Sequence, residues 1–521
     1  MYCLSNNKFR LLFFIMAAGF CSSCHQGMQK FTAPVEQVIR LDSTEIGIST
    51  ILSDLNVPWE IAWGPDGQIW FTEQSGTISK VDPHTGKKTT LLHVPGVYRI
   101  RTLGLLGMAI SPDKSKPYVF IDYTCRKDSA IVSRLARYTY TEDTLKDPLI
   151  LLEVPASTGH NGSRVAISPD GKVFWSIGDI AKSQNAQDTS SLNGKIVRLN
   201  MDGSVPGDNP FPGSPVWSMG HRNVQGLVFT PDGILFSSEH GDATDDEINI
   251  IVKGGNYGWP EVTGYCDLPA EKKYCDSMHI IQPIKAWTPT IAPSGIDYYH
   301  SDKIPEWNNS ILLATLKGVS LRVLKLDNKK EAIRSETVYF KDQFGRLRDI
   351  CISPDGDIYI STSNRDWNPL GKPKPHDDRI IRIAKISDLD NLSQVDINHP
   401  TPASAVTASP LTTSSNGATL YQNYCASCHK SDGNGVPGTF PALNNNPLIA
   451  GEKDRLIAIA LKGEAAISVK NNNRSGEGMP AFDFLSDRQI ADILTYIRTS
   501  WSNHADSISA AEVKITRQKI K

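Results

Sequence analysis

Cys425-Ala426-Ser427-Cys428-His429 sets two thiols three residues apart and an imidazole directly after the second. That spacing lets both thiols bond the vinyl groups of one porphyrin while the histidine of the same turn ligates the iron, which is c-type haem attachment. A zinc site is the competing chemistry. It needs a second pair of ligands, and downstream of His429 there is no cysteine and a single histidine, His504. Met479, in Gly478-Met479-Pro480-Ala481-Phe482, is the only methionine after the motif, so elimination makes it the second axial ligand. A thioether favours reduced iron and raises its potential, as an electron acceptor requires; the alternative is that Met479 packs against the haem and His504 or water completes the iron.

Such a group needs an electron donor, and the chain has room for one. Its 521 residues allow two or three domains. The formal net charge of -2 leaves no broad basic surface for a phosphate backbone, which excludes nucleic acid as a partner. Lys8 and Arg10 precede the apolar run 11–20, too short to span a bilayer and ordered as an export signal is. Cys21-Ser22-Ser23-Cys24 resembles a lipoprotein processing site, so residues 1–24 read as a lipoprotein-type signal peptide with Cys24 as the lipidated residue; ordinary cleavage nearby is the plainer reading. Either way the mature protein is expected outside the cytoplasm of a bacterium, periplasmic or anchored to the outer membrane. Cys266 and Cys275 read as a stapled surface loop or as two reduced thiols, and Cys125 and Cys351 as buried apolar fillers.

Between residues 55 and 388 a phrase recurs: an alternating apolar strand, a turn centred on Pro-Asp, usually Pro-Asp-Gly, and a second strand. Proline presets the first turn position and glycine accepts positive φ, so each phrase is a hairpin. Pro65, Pro112, Pro169, Pro231 and Pro354 are spaced by 47, 57, 62 and 123 residues, the last close to two of the others. A sixth unit is expected around residues 296–314. Six repeats of this size predict an all-β six-bladed propeller over residues 32–388, with a two-sheet sandwich as the runner-up that does not explain the period. Residues 389–415, rich in Pro, Ser and Thr, read as a linker. A small all-α cytochrome c domain follows over 416–503. Its strongest helix starts at Ser486, where Ser486 and Gln489 form a capping box and Ile490, Ile493, Leu494 and Ile497 share a face. Residues 504–521 read as a loose polar tail.

The C-terminal segment resembles the class I cytochrome c domains attached to bacterial dehydrogenases. The propeller segment, from about 52 to 386, carries Val57-Pro58-Trp59, Gly104-Leu105-Leu106-Gly107, Gly220-His221-Arg222-Asn223, Gly254-Gly255-Asn256-Tyr257-Gly258-Trp259-Pro260 and Ala292-Pro293-Ser294. In that order these closely resemble the soluble quinoprotein sugar dehydrogenases, the glucose/sorbosone dehydrogenase family. The resemblance implies pyrroloquinoline quinone (PQQ), calcium and a base beside the haem c. It implies cofactor-binding positions at Lys317, Arg346 and Arg348, with Arg222 and Asn223 at the reactive quinone end, and the i, i+2 spacing of the two arginines puts them on one strand face. It implies His160, in Gly159-His160-Asn161-Gly162, as general base. It implies calcium on the main-chain carbonyls of Gly241 and Asp242, and a second, structural calcium at Asp246, Glu247 and Tyr257; an acidic surface turn is the bland alternative for the latter.

The resemblance breaks where substrate is expected. The family's usual glutamine is Thr102 here, and the aspartate before the catalytic histidine in glucose dehydrogenases is Gly159. Losing an amide and a carboxylate alters which sugar hydroxyls are satisfied, so glucose itself is in doubt. Trp287, one residue from the family's aromatic wall position, is a further expected lining residue. The expected activity is oxidation of an aldose-type sugar or related alcohol, with electrons passing through the fused haem to an external acceptor such as a cytochrome or respiratory-chain component. A calcium-dependent propeller lactonase, or a non-catalytic glycan-binding propeller, would use the same architecture.

Overall fold

The computed structural model describes residues 33–366, 373–388, 397–398, 401–402, 417–437, 440–463 and 479–520. The expected signal peptide with Cys24, most of the expected linker and Gly478 lie outside them. Six sheets form a six-bladed propeller. The innermost strands are Pro58–Trp63, Leu105–Ile110, Gly162–Ile167, Val224–Phe229, Pro293–Tyr299 and Leu347–Ile352, each packed on the next and the last on the first. The ring closes because the N-terminal strand Glu45–Leu52 pairs antiparallel with Ile380–Lys385 and completes the sixth blade. A sheet that closes on itself in this way leaves few open edges.

The Pro-Asp-Gly turns join first to second strands. Gly67 and Gly171 sit at φ 74° and 75°, where a side chain would be strained. The turn acids also brace the blades. Asp66 accepts from Lys80 at 2.7 Å, Asp170 from Arg198 at 3.1 Å and Asp357, just past its turn, from Arg382 at 2.8 Å. In each case the cation lies on the third strand, opposite an aromatic residue of the second: Trp70 and Lys80, Phe174 and Arg198, Tyr359 and Arg382. The expected sixth unit is present, fifth in chain order, as Pro293–Tyr299 paired with Ser310–Thr315, joined by a longer loop in place of the tight turn. Helix α1 (Pro269–Met278) lies on a surface loop stapled by a Cys266–Cys275 disulfide, while Cys125 and Cys351 are buried and reduced.

The C-terminal region is a bundle of α2 (Gly417–Tyr424), α3 (Ala426–His429), α4 (Pro447–Ala450), α5 (Lys453–Lys462), α6 (Asp487–Thr499) and α7 (Ala510–Lys519). The α6 capping box forms as expected, and Ile490, Ile493, Leu494 and Ile497 are all buried, each contributing about 1.5–3 kcal/mol. Helix α2 crosses α6 where Gly417 has no Cβ; one there would lie 2.2 Å from the Asp492 carbonyl oxygen.

The expectation of a loose tail is corrected. Residues after Trp501 turn back on the bundle: Ser509 and Glu512 cap α7, Val513 and Ile508 enter the core, and Arg517 bonds Asp487 at 2.7 Å. With Ile508 and Val513 buried and Ala510 and Ile520 packed partly buried against the same cluster, α7 is held by scattered apolar contacts, its cap and ion pairs rather than by an apolar stripe that periodicity reveals.

Candidate functional site

One end of the propeller collects the chemistry, for a topological reason. Trp59, Thr102, His160, Arg222, Ala292 and Arg346 each sit at or just before the start of the innermost strand of their own blade. Gln74, Asp179, Gly241, Lys317 and Asp366 follow the end of the second strand. Because first and second strands are antiparallel, these two sets converge on the same rim. Of them, all but Asp179 line a cavity of about 340 Å³ on the propeller axis.

His160 holds φ at 51°, a left-handed conformation that is costly for a side chain and is retained where the surroundings dictate it. Part of that dictation is Gly178, where a Cβ would lie 2.0 Å from the His160 carbonyl oxygen. The His160 Nδ1 lies 2.8 Å from Asp179 Oδ1, and the other Asp179 oxygen accepts the Trp259 indole N–H at 2.8 Å. A carboxylate on Nδ1 favours the tautomer protonated there and makes Nε2 the basic nitrogen. The pair therefore has the arrangement of a base with its orienting acid.

Arg222 and Asn223 are fixed through their backbone. Both N–H groups donate to Glu239 Oε1, Asn223 at 3.2 Å, while Glu239 Oε2 meets His221 Nδ1 at 3.0 Å. Ser218 Oγ completes a row at 2.8 Å from His221 Nε2. This row has the residue types of a hydrolase triad, but Ser218 and His221 are fully buried and lie outside the cavity, so it positions the loop and attacks nothing. The Arg222 guanidinium bonds Asp242 at 3.1 Å and lies 5.4 Å from the Trp259 ring. The Lys317 ammonium donates to Thr290 Oγ1 at 2.7 Å, and burial holds it below the ordinary lysine range against the opposing charge of Asp246.

The roof of the cavity comes from the helical domain. Asn423, Tyr424, Cys425, Cys428, His429 and Met479 line it with the propeller residues. The Lys317 ammonium donates to the Asn423 carbonyl oxygen, Arg101 stacks 5.7 Å from Phe440, and Ala243 packs into the apolar cluster of the bundle. His429 Nδ1 lies 2.9 Å from the Pro441 carbonyl oxygen, which places its N–H there and leaves Nε2 as the nitrogen available to a metal. Burial also lowers the His429 pKa, keeping the ring in the neutral form a metal needs. Two thiols outside any disulfide, an oriented imidazole and a thioether at one cavity fit a covalent haem.

Expected and observed positions differ in places. Thr102 and Gly159 line the cavity, the Thr102 hydroxyl donating to Thr158 O at 3.0 Å. An amide nevertheless reaches the wall from another strand: Gln74 donates to Arg101 O at 3.0 Å, and its buried oxygen has no hydrogen-bond partner among the described residues. Trp287 is corrected. It lies on the outer strand Lys285–Trp287 of the fourth blade and packs between blades with its indole N–H on Glu336, at 3.1 Å from Oε1.

The second calcium set is corrected too. The Asp246 carboxylate accepts three backbone N–H groups, from Gly241, Ile291 and Ala292 at 2.5–2.8 Å, and so ties two loops together. Glu247 faces Gly264 N–H and Asn249, while the Tyr257 hydroxyl is taken by Ile250 O and Val252 N–H. The three side chains do not converge, and no group of three acidic, histidine or cysteine residues among those described is arranged to hold a metal. Gly241 and Asp242 do line the cavity beside Arg222. His240, given no role by its sequence context, lines it as well, with its pKa pushed down to about 3 by burial and then by the charges of Arg222, His160 and Arg348. It is a neutral ring at physiological pH.

Residues 55–370 match the Glucose / Sorbosone dehydrogenase family model. The chain belongs to the glucose/sorbosone dehydrogenase family. Residues 414–501 match Cytochrome c, which implies a haem c. Quinoprotein glucose dehydrogenase B of Acinetobacter calcoaceticus is 35% identical over 418 residues, covering 63% of this chain and 87% of that protein. The PQQ-bound aldose sugar dehydrogenase structure from Streptomyces coelicolor superposes with a TM-score of 0.57 at 34% identity, covering 68% of this chain and 99% of that one. The cytochrome c subunit of a quinone alcohol dehydrogenase from Gluconacetobacter polyoxogenes is 38% identical over 108 residues, 20% of this chain and 23% of that subunit. This member of the dehydrogenase family is thus an oxidoreductase propeller with its cytochrome built in.

Proposed function

We propose that the protein is a PQQ-dependent dehydrogenase that oxidises an aldose-type sugar or related alcohol and passes the electrons through its own haem to an external acceptor. The observation that carries this reading is the single cavity in which a cationic cradle, an oriented histidine and the haem-attachment motif meet. Lys317, Arg346 and Arg348 suit the carboxylates of a polyanionic quinone, and Arg222 with Asn223 suit its oxygens. When bound, PQQ supplies a two-electron hydride acceptor and the haem a one-electron acceptor.

The chain's own part is positional and acid–base. His160 Nε2 takes the hydroxyl proton as the adjacent carbon gives up its hydride, and Asp179 holds the ring and stabilises the imidazolium that forms. Gly241 and Asp242 would offer hard oxygen donors to a calcium ion at the quinone edge. Thr102, Gly159 and Gln74 face the space where the sugar hydroxyls would sit and set which of them are satisfied. Export and anchoring through a lipidated Cys24 would place the enzyme where a periplasmic or respiratory-chain acceptor is within reach.

Reconstitution with PQQ and calcium, followed by aldoses and alcohols under anaerobic conditions, tests the reading. Haem reduction is expected with at least one aldose and with none when PQQ is omitted. A haem that stays oxidised with every member of a broad sugar and alcohol panel would overturn it.

A further inference from the structure

Arg346 and Arg348 share one carboxylate. Asp366, four residues beyond the end of strand Ile358–Thr362, accepts from Arg346 Nη2 at 3.0 Å through Oδ1 and from Arg348 Nη2 through Oδ2, and the Ser363 hydroxyl donates to Oδ2 at 2.8 Å. Its side chain is 5% exposed and lies on the cavity wall. Arg346 has a second anchor, Nε to Ser363 O at 2.9 Å. Arg348 is held less firmly: Nη1 reaches Gln225 Oε1 only at 3.4 Å, the guanidinium lies 5.7 Å from the Trp59 ring centroid, a contact that leaves it free to slide, and Nε is buried with no hydrogen-bond partner among the described residues. Burial, Arg346 and Arg164 all disfavour the Arg348 charge, and Asp366 is the group that opposes them. Two like charges side by side in a buried wall separate unless something holds them.

We propose that Asp366 is a positioning residue that locks Arg346 and Arg348 into one two-guanidinium fork for a carboxylate of the anionic cofactor. The proposal rests on the function inferred above and adds a residue to its machinery. Two physical arguments give opposite signs. By charge alone, removing an aspartate beside an anion site strengthens anion binding. By geometry, removing it frees Arg348 and splays the fork, so binding weakens even though the site becomes more positive. With both acceptor oxygens engaged and Arg348 lacking another strong anchor, geometry prevails.

The experiment uses full-length, haem-loaded, quinone-free protein titrated with PQQ and followed by quenching of its tryptophan fluorescence, Trp59 and Trp259 being at the site. Asp366→Asn is expected to raise the PQQ dissociation constant by on the order of ten- to a hundred-fold, with the haem spectrum and circular dichroism unchanged, and Asp366→Glu to restore part of the affinity. Should the asparagine variant fail to fold, Ser363→Ala, which removes the hydroxyl aiming Asp366, is expected to weaken PQQ binding in the same direction. A folded Asp366→Asn protein that binds PQQ as tightly as the parent, or more tightly, overturns the proposal. Parent protein that does not bind PQQ at all overturns the function reading and the proposal with it.

Discussion

At the scale of single residues the central assignment is His160 with Asp179. If His160 is the base proposed above, replacing it by Ala removes the proton acceptor, so kcat with the preferred sugar is expected to fall by roughly 10²–10⁴ while the haem spectrum is unchanged. Stopped-flow haem reduction checks this, and a normal rate would remove the base assignment. Met479 bears on a different quantity. Loss of the thioether in Met479→Ala is expected to lower the haem midpoint potential by on the order of 100 mV, measured by redox titration; an unchanged potential would return the iron to His504 or water. The residues legible in the sequence were those whose neighbours form a contiguous motif, such as Gly159-His160-Asn161-Gly162 or Cys425 to His429. Gln74, Asp179 and Asp366 were not, because each acquires its role only when loops from different hairpins meet at the rim. Trp287 was misplaced because the resemblance put it beside a lining position, while its outer strand points it between blades.

At the scale of elements, the Pro-Asp turns reveal strands because turn chemistry is local, and the fifth blade was visible only as paired apolar runs because its connection is long. Helix α7 escaped notice since its anchors, Ile508 and Val513, carry no helical period of their own. The strands also bury acids. Asp122, within strand Tyr118–Lys127, accepts the Ser133 hydroxyl at 2.5 Å and has its pKa raised by burial from 3.8 to about 7. The folded state therefore keeps a proton that the unfolded chain has already released. This group's contribution is fully present below about pH 4, declines as pH rises, and is lost once pH passes about 7. Asp122→Asn does not titrate, so its melting temperature is expected to fall less than the parent's between pH 4 and 7, by roughly a few degrees. Parallel melting curves across that window would place the burden on other carboxylates.

At the scale of the whole molecule, the fusion puts the haem motif over the mouth of the propeller axis rather than at a distance on a tether. The Lys317 contact to Asn423, the Arg101 stack on Phe440 and the seating of Ala243 in the bundle are what hold it there. Under the proposed function, linkage within one chain would make transfer to the haem unimolecular. The most direct test is the rate of haem reduction by a saturating sugar in PQQ- and calcium-loaded protein, measured by stopped flow over a hundred-fold range of protein concentration. A first-order rate constant that does not change with protein concentration is the expected result; a rate that rises in proportion to protein concentration would show that the haem takes electrons from other molecules and would contradict the account.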